Sequence, residues 1–198
     1  MEKSNKNIRN TILFLIAVLV ALGVYHGAYC PLIKAKLYMI KSRELGGNQY
    51  NSLNELKQNY DQVFDYPSPV GQEEAINYFV NDIMTLISQS EQSENASRLL
   101  VEYVESNVIK DNLLQELHLG HFYFRLWERF GDQEYFQKAE EYYTKVLKEA
   151  PHLPHALEAL FKMYKKAGQT EKMKEIGGKI LELWPSEEKV KQAIEEGF

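Results

Sequence analysis

Two short stretches, VLKEAP at residues 146–151 and ILELWP at residues 180–185, decide how we interpret the fold of this chain. Each is the end of an amphipathic segment closed by a proline, and Pro151 and Pro185 lie 34 residues apart. Proline cannot continue a helix, so both stretches predict a helix that ends there. A recurrence at this spacing is typical of helix–turn–helix units that stack on one another.

The residues between the two prolines carry the pattern of a helix pair. Apolar residues recur at three- and four-residue spacing in residues 157–164 and again in residues 173–180. This periodicity predicts one buried stripe on each of two helices, with a turn at Gly168 between them. A single pair cannot bury both stripes, so we expect it to stack on a neighbouring pair.

With Pro185 placed at repeat position 32, the segment resembles the tetratricopeptide repeat family, with Leu160 at position 7 and Tyr164 at position 11. The family has small residues at positions 8 and 20 and a large one at position 24. Here Phe161 and Met173 are large and Gly177 is small. We interpret this as a size exchange between facing helices that conserves core volume.

The preceding unit, which Pro151 closes, fits the same register with one irregularity. Ala139 falls at position 20, and residues 119–123, LGHFY, match positions 7 to 11. Sixteen residues separate Tyr123 from Ala139, where the family has nine. We therefore predict a first helix about two turns longer than usual. The last segment, residues 186–198, has a charged exposed face and a possible N-cap at Ser186, which predicts a terminal capping helix.

The N-terminal part of the chain contains an apolar run from Thr11 to Ile33 in which only His26 is strongly polar. At about 1.5 Å per residue its 23 residues would cover about 34 Å, slightly more than a bilayer core of about 30 Å. Cleavage as a signal peptide would place His26 or Tyr25 at the −3 position, which needs a small residue, so we expect an uncleaved anchor.

The orientation of this anchor is less clearly encoded. Lysines and arginines flank both ends in nearly balanced numbers, so the positive-inside rule does not separate the two topologies. Because a long following domain can be translocated regardless of its charge, we expect the C-terminal domain outside the cytoplasm. The resulting prediction is a single-pass membrane protein.

Residues 34–110 show helical periodicity without regular repeats. We predict helices over residues 34–44, 49–64, 72–88 and 96–109, a break at Gly46-Gly47, a turn at residues 67–71 and a loop at residues 88–95. The predicted fold class is all-α: a transmembrane helix followed by a right-handed α-solenoid. Its domains are a basic tail (1–10), the transmembrane helix (11–33), degenerate helix pairs (34–110) and tetratricopeptide-like repeats with a capping helix (111–198).

The order of these segments resembles the C-terminal tail of the bacterial O-antigen ligase/polymerase family of membrane proteins. The resemblance is carried by YPSPVGQEE at residues 66–74 and by LGHFYFRLWERFGDQEYFQKAEEYY at residues 119–143. It implies a setting in surface polysaccharide assembly. It carries over no catalytic residue, because the family's catalytic membrane segments have no counterpart here. A truncated or split part of such a transferase is the alternative to an independent scaffold.

Composition and motifs argue against several functions. A net charge of −5 offers no basic stripe for nucleic acid, and the single cysteine, Cys30, excludes an internal disulfide and a cysteine-based metal site. No phosphate-binding loop, nucleophile elbow or metalloprotease motif occurs. His118 and His121, like His152 and His155, could share a helix face, but without further ligands. We expect no enzyme activity, no metal and no cofactor.

A binding surface follows from the repeat resemblance. Tetratricopeptide proteins receive protein or peptide partners on the concave face formed by the first helices of their pairs. Mapped onto this chain, the face consists of Leu114, Leu117, His121, Phe124 and Arg125 in one unit and His155, Glu158, Lys162, Lys165 and Lys166 in the next. The second set is mostly cationic, which favours an acidic peptide or a carboxylate, with solvated lysines as the alternative.

Overall fold

A computed structural model describes residues 2–46, 52–88 and 92–196, and within these ranges the chain is helical with no β-strand, as the predicted all-α class requires. The helices are α1 (Glu2–Val24), a π-helical turn (Tyr25–Tyr29), α2 (Cys30–Gly46), α3 (Leu53–Phe64), α4 (Gln72–Ile87), α5 (Glu94–Asn107), α6 (Leu113–Phe130), α7 (Gln133–Glu149), α8 (Pro154–Lys166), α9 (Thr170–Leu183) and α10 (Glu188–Glu196). The chain divides into two compact units, Met1–Asp82 and Ile83–Phe198, so the predicted boundary at residues 110/111 falls inside the second unit and stays a prediction.

The first unit begins with one continuous helix formed by α1, the π-helical turn and α2. Between Arg9 and Glu44 this helix is long and apolar enough to cross a membrane, the only one of the described helices that is. Its side chains are exposed from Arg9 through Tyr29. The predicted break at Gly46-Gly47 and the predicted start of the next helix at residue 49 lie partly outside the described residues.

Aromatic side chains form the core of the first unit. The rings of Tyr60 and Phe64 on α3 pack against Phe79 on α4, with centroids 4.5 Å and 5.2 Å from the Phe79 ring. The Asp82 carboxylate accepts hydrogen bonds from the Tyr38 hydroxyl (2.6 Å) and the Tyr60 hydroxyl (3.3 Å). These contacts tie α2, α3 and α4 together.

In the second unit, each helix from α5 to α10 packs on the next one, and α6 also contacts α8. Local signals set the helix boundaries as the sequence predicts. Gly131 ends α6 with φ 77°, and Gly168 adopts φ 68° in the turn before α9. Both conformations suit glycine because it has no Cβ. α7 ends at Glu149 and α9 at Leu183, each two residues before a proline.

The predicted size exchange is present where α8 faces α9. A Cβ built on Gly177 would lie 3.0 Å from Phe161 Cε2 and 2.7 Å from Ile194 Cδ1, so the large ring occupies the space that glycine leaves. Phe161, Gly177 and Ile194 thus share one packed contact between α8, α9 and α10. This contact explains why the small Gly177 is compatible with the large Phe161 on the facing helix.

The predicted extra length of the first repeat unit is distributed differently from our expectation. We assigned it to the first helix alone, but α6 has 18 residues and α7 has 17, against 13 in α8 and 14 in α9. Both helices are therefore longer at the end where they meet. Arg129 near this end donates to the carbonyl oxygens of Ile87 (3.2 Å) and Gln92, and the Tyr135 hydroxyl donates to Glu94 (3.1 Å). The added length therefore contacts Ile87 at the end of α4, Gln92, and Glu94 at the start of α5.

The terminal helix begins later than predicted. Ser186 does not act as its side-chain cap; α10 starts at Glu188, and the Glu187 carbonyl accepts from Lys191 N (3.2 Å). Ser186 contributes its carbonyl oxygen to Glu188 N (2.9 Å) in the preceding turn. Val190 and Ala193 are the buried residues of this short helix. The last two predicted residues, 197 and 198, lie outside the described residues.

A polar arrangement joins α5 to the α6–α7 pair. The Glu105 carboxylate on α5 accepts a hydrogen bond from the Tyr123 hydroxyl (2.7 Å) and lies 3.8 Å from Lys138 Nζ. The Lys138 ammonium also stands 4.7 Å from the centroid of the Tyr123 ring. One carboxylate therefore meets a tyrosine from the first helix and a lysine from the second.

The same arrangement joins α7 to the α8–α9 pair. The Glu140 carboxylate accepts from the Tyr164 hydroxyl (2.7 Å) and pairs with the Lys172 ammonium, which stands 5.2 Å from the Tyr164 ring centroid. We call each set of glutamate, tyrosine and lysine a clasp. The second clasp joins the α6–α7 pair to the α8–α9 pair, and the first helices of these pairs, α6 and α8, are in contact.

Candidate partner-binding groove

Six of the predicted concave-face residues line one cavity of about 400 Å³ formed by α6 and α8 together with Met84. The predicted members are His121, Phe124, Arg125, His155, Glu158 and Lys162, and Ala159 completes the lining. We call this cavity the groove. An aromatic ring, two histidines and side chains of both charges meet there, a mixture suited to a peptide with apolar and charged residues.

The other predicted residues occupy different places. Leu117 is only 4 % exposed, belongs to the core and does not line the groove. Leu114 is exposed at the start of α6, and Lys165 is partly exposed on α8; neither lines the groove. Lys166 lines an adjacent cavity of about 510 Å³, which shares Arg125 with the groove.

A single carboxylate, Glu128, organises the cations along this face. Its oxygens lie 3.1 Å from Arg125, 3.0 Å from Lys166 and 4.0 Å from Lys162. Partial burial acts to raise the pKa of Glu128, but the hydrogen bond from Lys166 and the nearby charges outweigh it and lower the pKa. Three cations share one anion, which leaves this edge with an excess of positive charge.

The groove wall between α6 and α8 combines this charge with an aromatic surface. Lys162 Nζ stands 5.5 Å from the centroid of the Phe124 ring, within the range of a cation–π interaction. Phe124 is in turn stacked on Trp127, with centroids 5.9 Å apart. These contacts hold Lys162 above an apolar floor while its side chain stays mostly exposed.

His121 is the most buried titratable group that lines the groove. Its Nδ1 lies 2.7 Å from the hydroxyl of Tyr143, a residue of α7 with no exposed surface. Burial, followed by the positive charges of its surroundings, lowers the pKa of His121 to about 4; those charges come from His118, His155, Arg125 and Lys162. The imidazole is therefore neutral at pH 7, and the hydrogen bond occupies one ring nitrogen and leaves Nε2 unused by Tyr143.

The two histidine pairs are only partly brought together. His121 and His155 line the same groove, His118 is half-buried, and His152 is exposed outside the groove. Within residues 2–46, 52–88 and 92–196, no group of three or more histidine, cysteine, aspartate or glutamate residues could hold a metal ion.

Sequence reasoning did not identify Glu128, Met84 or Ala159 as part of this face. The i, i+3 spacing of Arg125 and Glu128 is a signal of an ion pair on one helix, and it could have drawn attention to Glu128. The lysines that complete the cluster come from α8, and no local pattern predicts their distance from Glu128. No protein-family model, curated protein or solved structure matches the chain.

Proposed function

We propose that this chain is a membrane-anchored scaffold of tetratricopeptide-like helix pairs whose groove binds an acidic segment of a partner protein. The apolar helix at the N-terminus is the anchor in this proposal, and α6–α10 form the repeats with α10 as their cap. The observation that carries the proposal is the convergence of Arg125, Lys162 and Lys166 on one carboxylate beside an aromatic-floored cavity between two first helices.

The composition of the groove supports this class of partner. An incoming carboxylate gains from the positive charge that Glu128 leaves unbalanced, and the ring of Phe124 offers an apolar surface beside it. Charged groups at a rim steer association and set specificity more than they set affinity. We therefore expect a partner segment that alternates acidic and apolar residues and binds more weakly as salt concentration rises.

The proposal is tested by titrating the purified chain in lipid nanodiscs with a fluorescent peptide of alternating glutamate and leucine. Fluorescence anisotropy should report saturable binding that weakens with salt, and no binding of the same peptide with glutamine in place of glutamate. Reversing two groove charges, Lys162→Glu with Lys166→Glu, should weaken binding on the order of tenfold, because each reversal replaces attraction by repulsion.

A matched control separates the groove from net charge. Lys174 and Lys189 are exposed on α9 and α10, outside the groove and its neighbouring cavity. The double variant Lys174→Glu with Lys189→Glu changes the total charge equally and should bind as the unaltered chain does. Equal weakening by both double variants, with unchanged helical circular dichroism, would show that the peptide responds to overall charge and would refute the groove.

The proposed cellular setting rests on the sequence resemblance to O-antigen ligase/polymerase tails and places the scaffold in bacterial surface polysaccharide assembly. We propose a single-pass arrangement in the inner membrane with the helical units outside the cytoplasm. Protease added to intact spheroplasts should then digest the helical units while a tag placed before Lys3 stays protected; the reverse pattern would contradict this topology.

A further inference from the structure

The N-terminal helix is exposed on all sides from Arg9 to Tyr29, and from Cys30 onward the protein covers one of its faces. Side chains from Arg9 to Tyr29 are exposed, whereas Cys30 is 2 % exposed and Lys34 is 3 % exposed. A helix that starts to cross a bilayer at Thr11 completes about 30 Å roughly twenty residues later, close to Cys30. The protein therefore begins to cover this helix at the depth where a bilayer would end.

The segment that covers this part of the helix follows α3. Lys34 Nζ donates to the carbonyl oxygens of Phe64 and Tyr66, both at 3.4 Å, and to the side-chain oxygen of Gln72. The Lys34 ammonium thus satisfies carbonyl groups that the end of α3 would otherwise leave without partners. This burial is unexpected, because a lysine beside a membrane span ordinarily extends towards water.

Tyr66 extends the contact between the segment after α3 and the N-terminal helix towards the apolar run. The Tyr66 side chain lies close enough to the side chains of Cys30 and Tyr25 to interact with both. Tyr25 lies nine residues before Lys34, a distance of about 13 Å along a helix. The segment after α3 is therefore folded back towards the apolar run. Tyrosine is enriched at the level of lipid headgroups, where Tyr25, Tyr29 and Tyr66 would then stand together.

The loop that continues from Tyr66 has the composition of a surface that contacts lipid. Residues 66–71 read YPSPVG and carry no charge. Val70 is 58 % exposed, and both prolines of the loop are exposed as well. The Ser68 hydroxyl donates to the Val70 carbonyl oxygen (2.6 Å), and Gly71 has φ 88°, so the turn is locally closed. Val70 therefore lies exposed at the tip of a closed, uncharged loop and is not packed into the protein core.

We propose that residues 66–71 form a second membrane contact, in which Val70 and the two prolines dock on the lipid surface beside the exit of the anchor helix. The surface that this loop contacts is the bilayer interface, because the loop lies against the anchor helix close to where that helix would leave the membrane. This inference rests on the proposed membrane anchor. The two contacts together then fix the tilt of the first unit on the membrane.

Site-specific fluorescence in proteoliposomes tests the contact. In a Cys30→Ser background, single cysteines at Val70, at Asn54 and at Leu19 carry an environment-sensitive nitrobenzoxadiazole label. Spin-labelled phosphatidylcholine in the vesicles is the quencher. Asn54 is exposed at the opposite end of α3 and serves as the matched control. Quenching at position 70 should exceed that at position 54 several-fold, and the emission at position 70 should shift to shorter wavelength.

The label at Leu19 separates this inference from the anchor itself, because Leu19 is an exposed residue in the middle of the apolar run. Strong lipid quenching at position 19 with equal, weak quenching at positions 70 and 54 would overturn the loop contact and leave the anchor standing. Absence of quenching at position 19 would overturn the anchor and the loop contact together. Val70→Asp should also weaken the association of the chain with vesicles, whereas the control Asn54→Asp should leave it unchanged.

Discussion

The ring of Tyr143 fills the space beside Gly120: a Cβ built on this glycine would lie 2.7 Å from Tyr143 Cε1. In the next helix pair the order is reversed, because the glycine, Gly177, is on the second helix and the ring, Phe161, is on the first. In our repeat register both contacts join positions 8 and 24. A large ring facing a glycine within each pair keeps the combined volume of the two side chains nearly constant.

This relationship predicts that Gly120→Ala destabilises the second unit. Alanine in a helix normally gains about 1 kcal/mol over glycine. Here the added Cβ meets a Tyr143 ring that has no exposed surface and is hydrogen-bonded to His121, so the ring cannot move aside. We expect a net loss of about 1–3 kcal/mol, typical of an overpacked core. Urea unfolding followed by circular dichroism measures it.

Gly178→Ala is the control for this prediction. Gly178 lies in α9 beside Gly177, and a Cβ built on it would meet no atom within 4 Å. This substitution should stabilise the protein by about 0.5–1 kcal/mol, since only the helix preference changes. If Gly120→Ala stabilises as Gly178→Ala does, the close contact between Gly120 and Tyr143 is wrong.

The burial of His121 predicts a pH-dependent stability. The pKa of His121 is lowered to about 4 in the folded protein, against about 6.5 in an unfolded chain. Below pH 6.5 the unfolded chain takes up a proton that the folded protein does not, so the stability contributed by neutral His121 is complete above pH 6.5 and is lost as pH falls towards 4. Unfolding free energies measured at pH 7 and pH 5 report this loss.

The variant His121→Asn isolates this contribution, because its side-chain oxygen can still accept from the Tyr143 hydroxyl but does not titrate. We expect the stability difference between pH 7 and pH 5 to shrink on the order of 1 kcal/mol in this variant. The substitution His152→Asn, at an exposed histidine outside the groove, should leave the difference unchanged. Equal pH profiles for the original chain and His121→Asn would contradict the buried neutral imidazole.

The clasp around Glu140 predicts an energetic coupling across helices. Tyr164→Phe removes the hydroxyl that donates to Glu140 at 2.7 Å and keeps the ring beneath Lys172. We expect a loss of about 1–2 kcal/mol, as for a hydrogen bond to a charged group that is partly exposed. In a double-mutant cycle with Glu140→Gln, the two changes should be non-additive by about 1 kcal/mol. Strict additivity would show that the contact contributes nothing.

The local features of the fold are predictable from sequence because they depend on neighbouring residues. Pro151, Pro185 and Gly168 interrupt helices through their own backbone restrictions, and the apolar stripes of α8 and α9 follow from a single period. The pairing of the large Phe161 with the small Gly177 was also predictable, because the repeat register places the two residues on facing helices.

Other features depend on contacts between distant segments and have no local signal. The sharing of extra length between α6 and α7 follows from the hydrogen bonds of Arg129 to residues 87 and 92. The burial of Leu117 reflects the packing around α6, and the clustering of Lys162 and Lys166 on Glu128 needs α6 and α8 side by side. Lys34 resembles an ordinary flanking lysine in sequence and is buried only because α3 ends against it.

The most direct test of the groove is photo-crosslinking in native membranes, with a photoreactive amino acid at position 162 and, as a control, at position 174 on the exposed side of α9. We predict a discrete adduct from position 162, mapped by mass spectrometry to an acidic segment of one protein, that is lost when Lys166→Glu is added. Identical adducts from positions 162 and 174, or an adduct unaffected by Lys166→Glu, would contradict a partner-binding groove between α6 and α8.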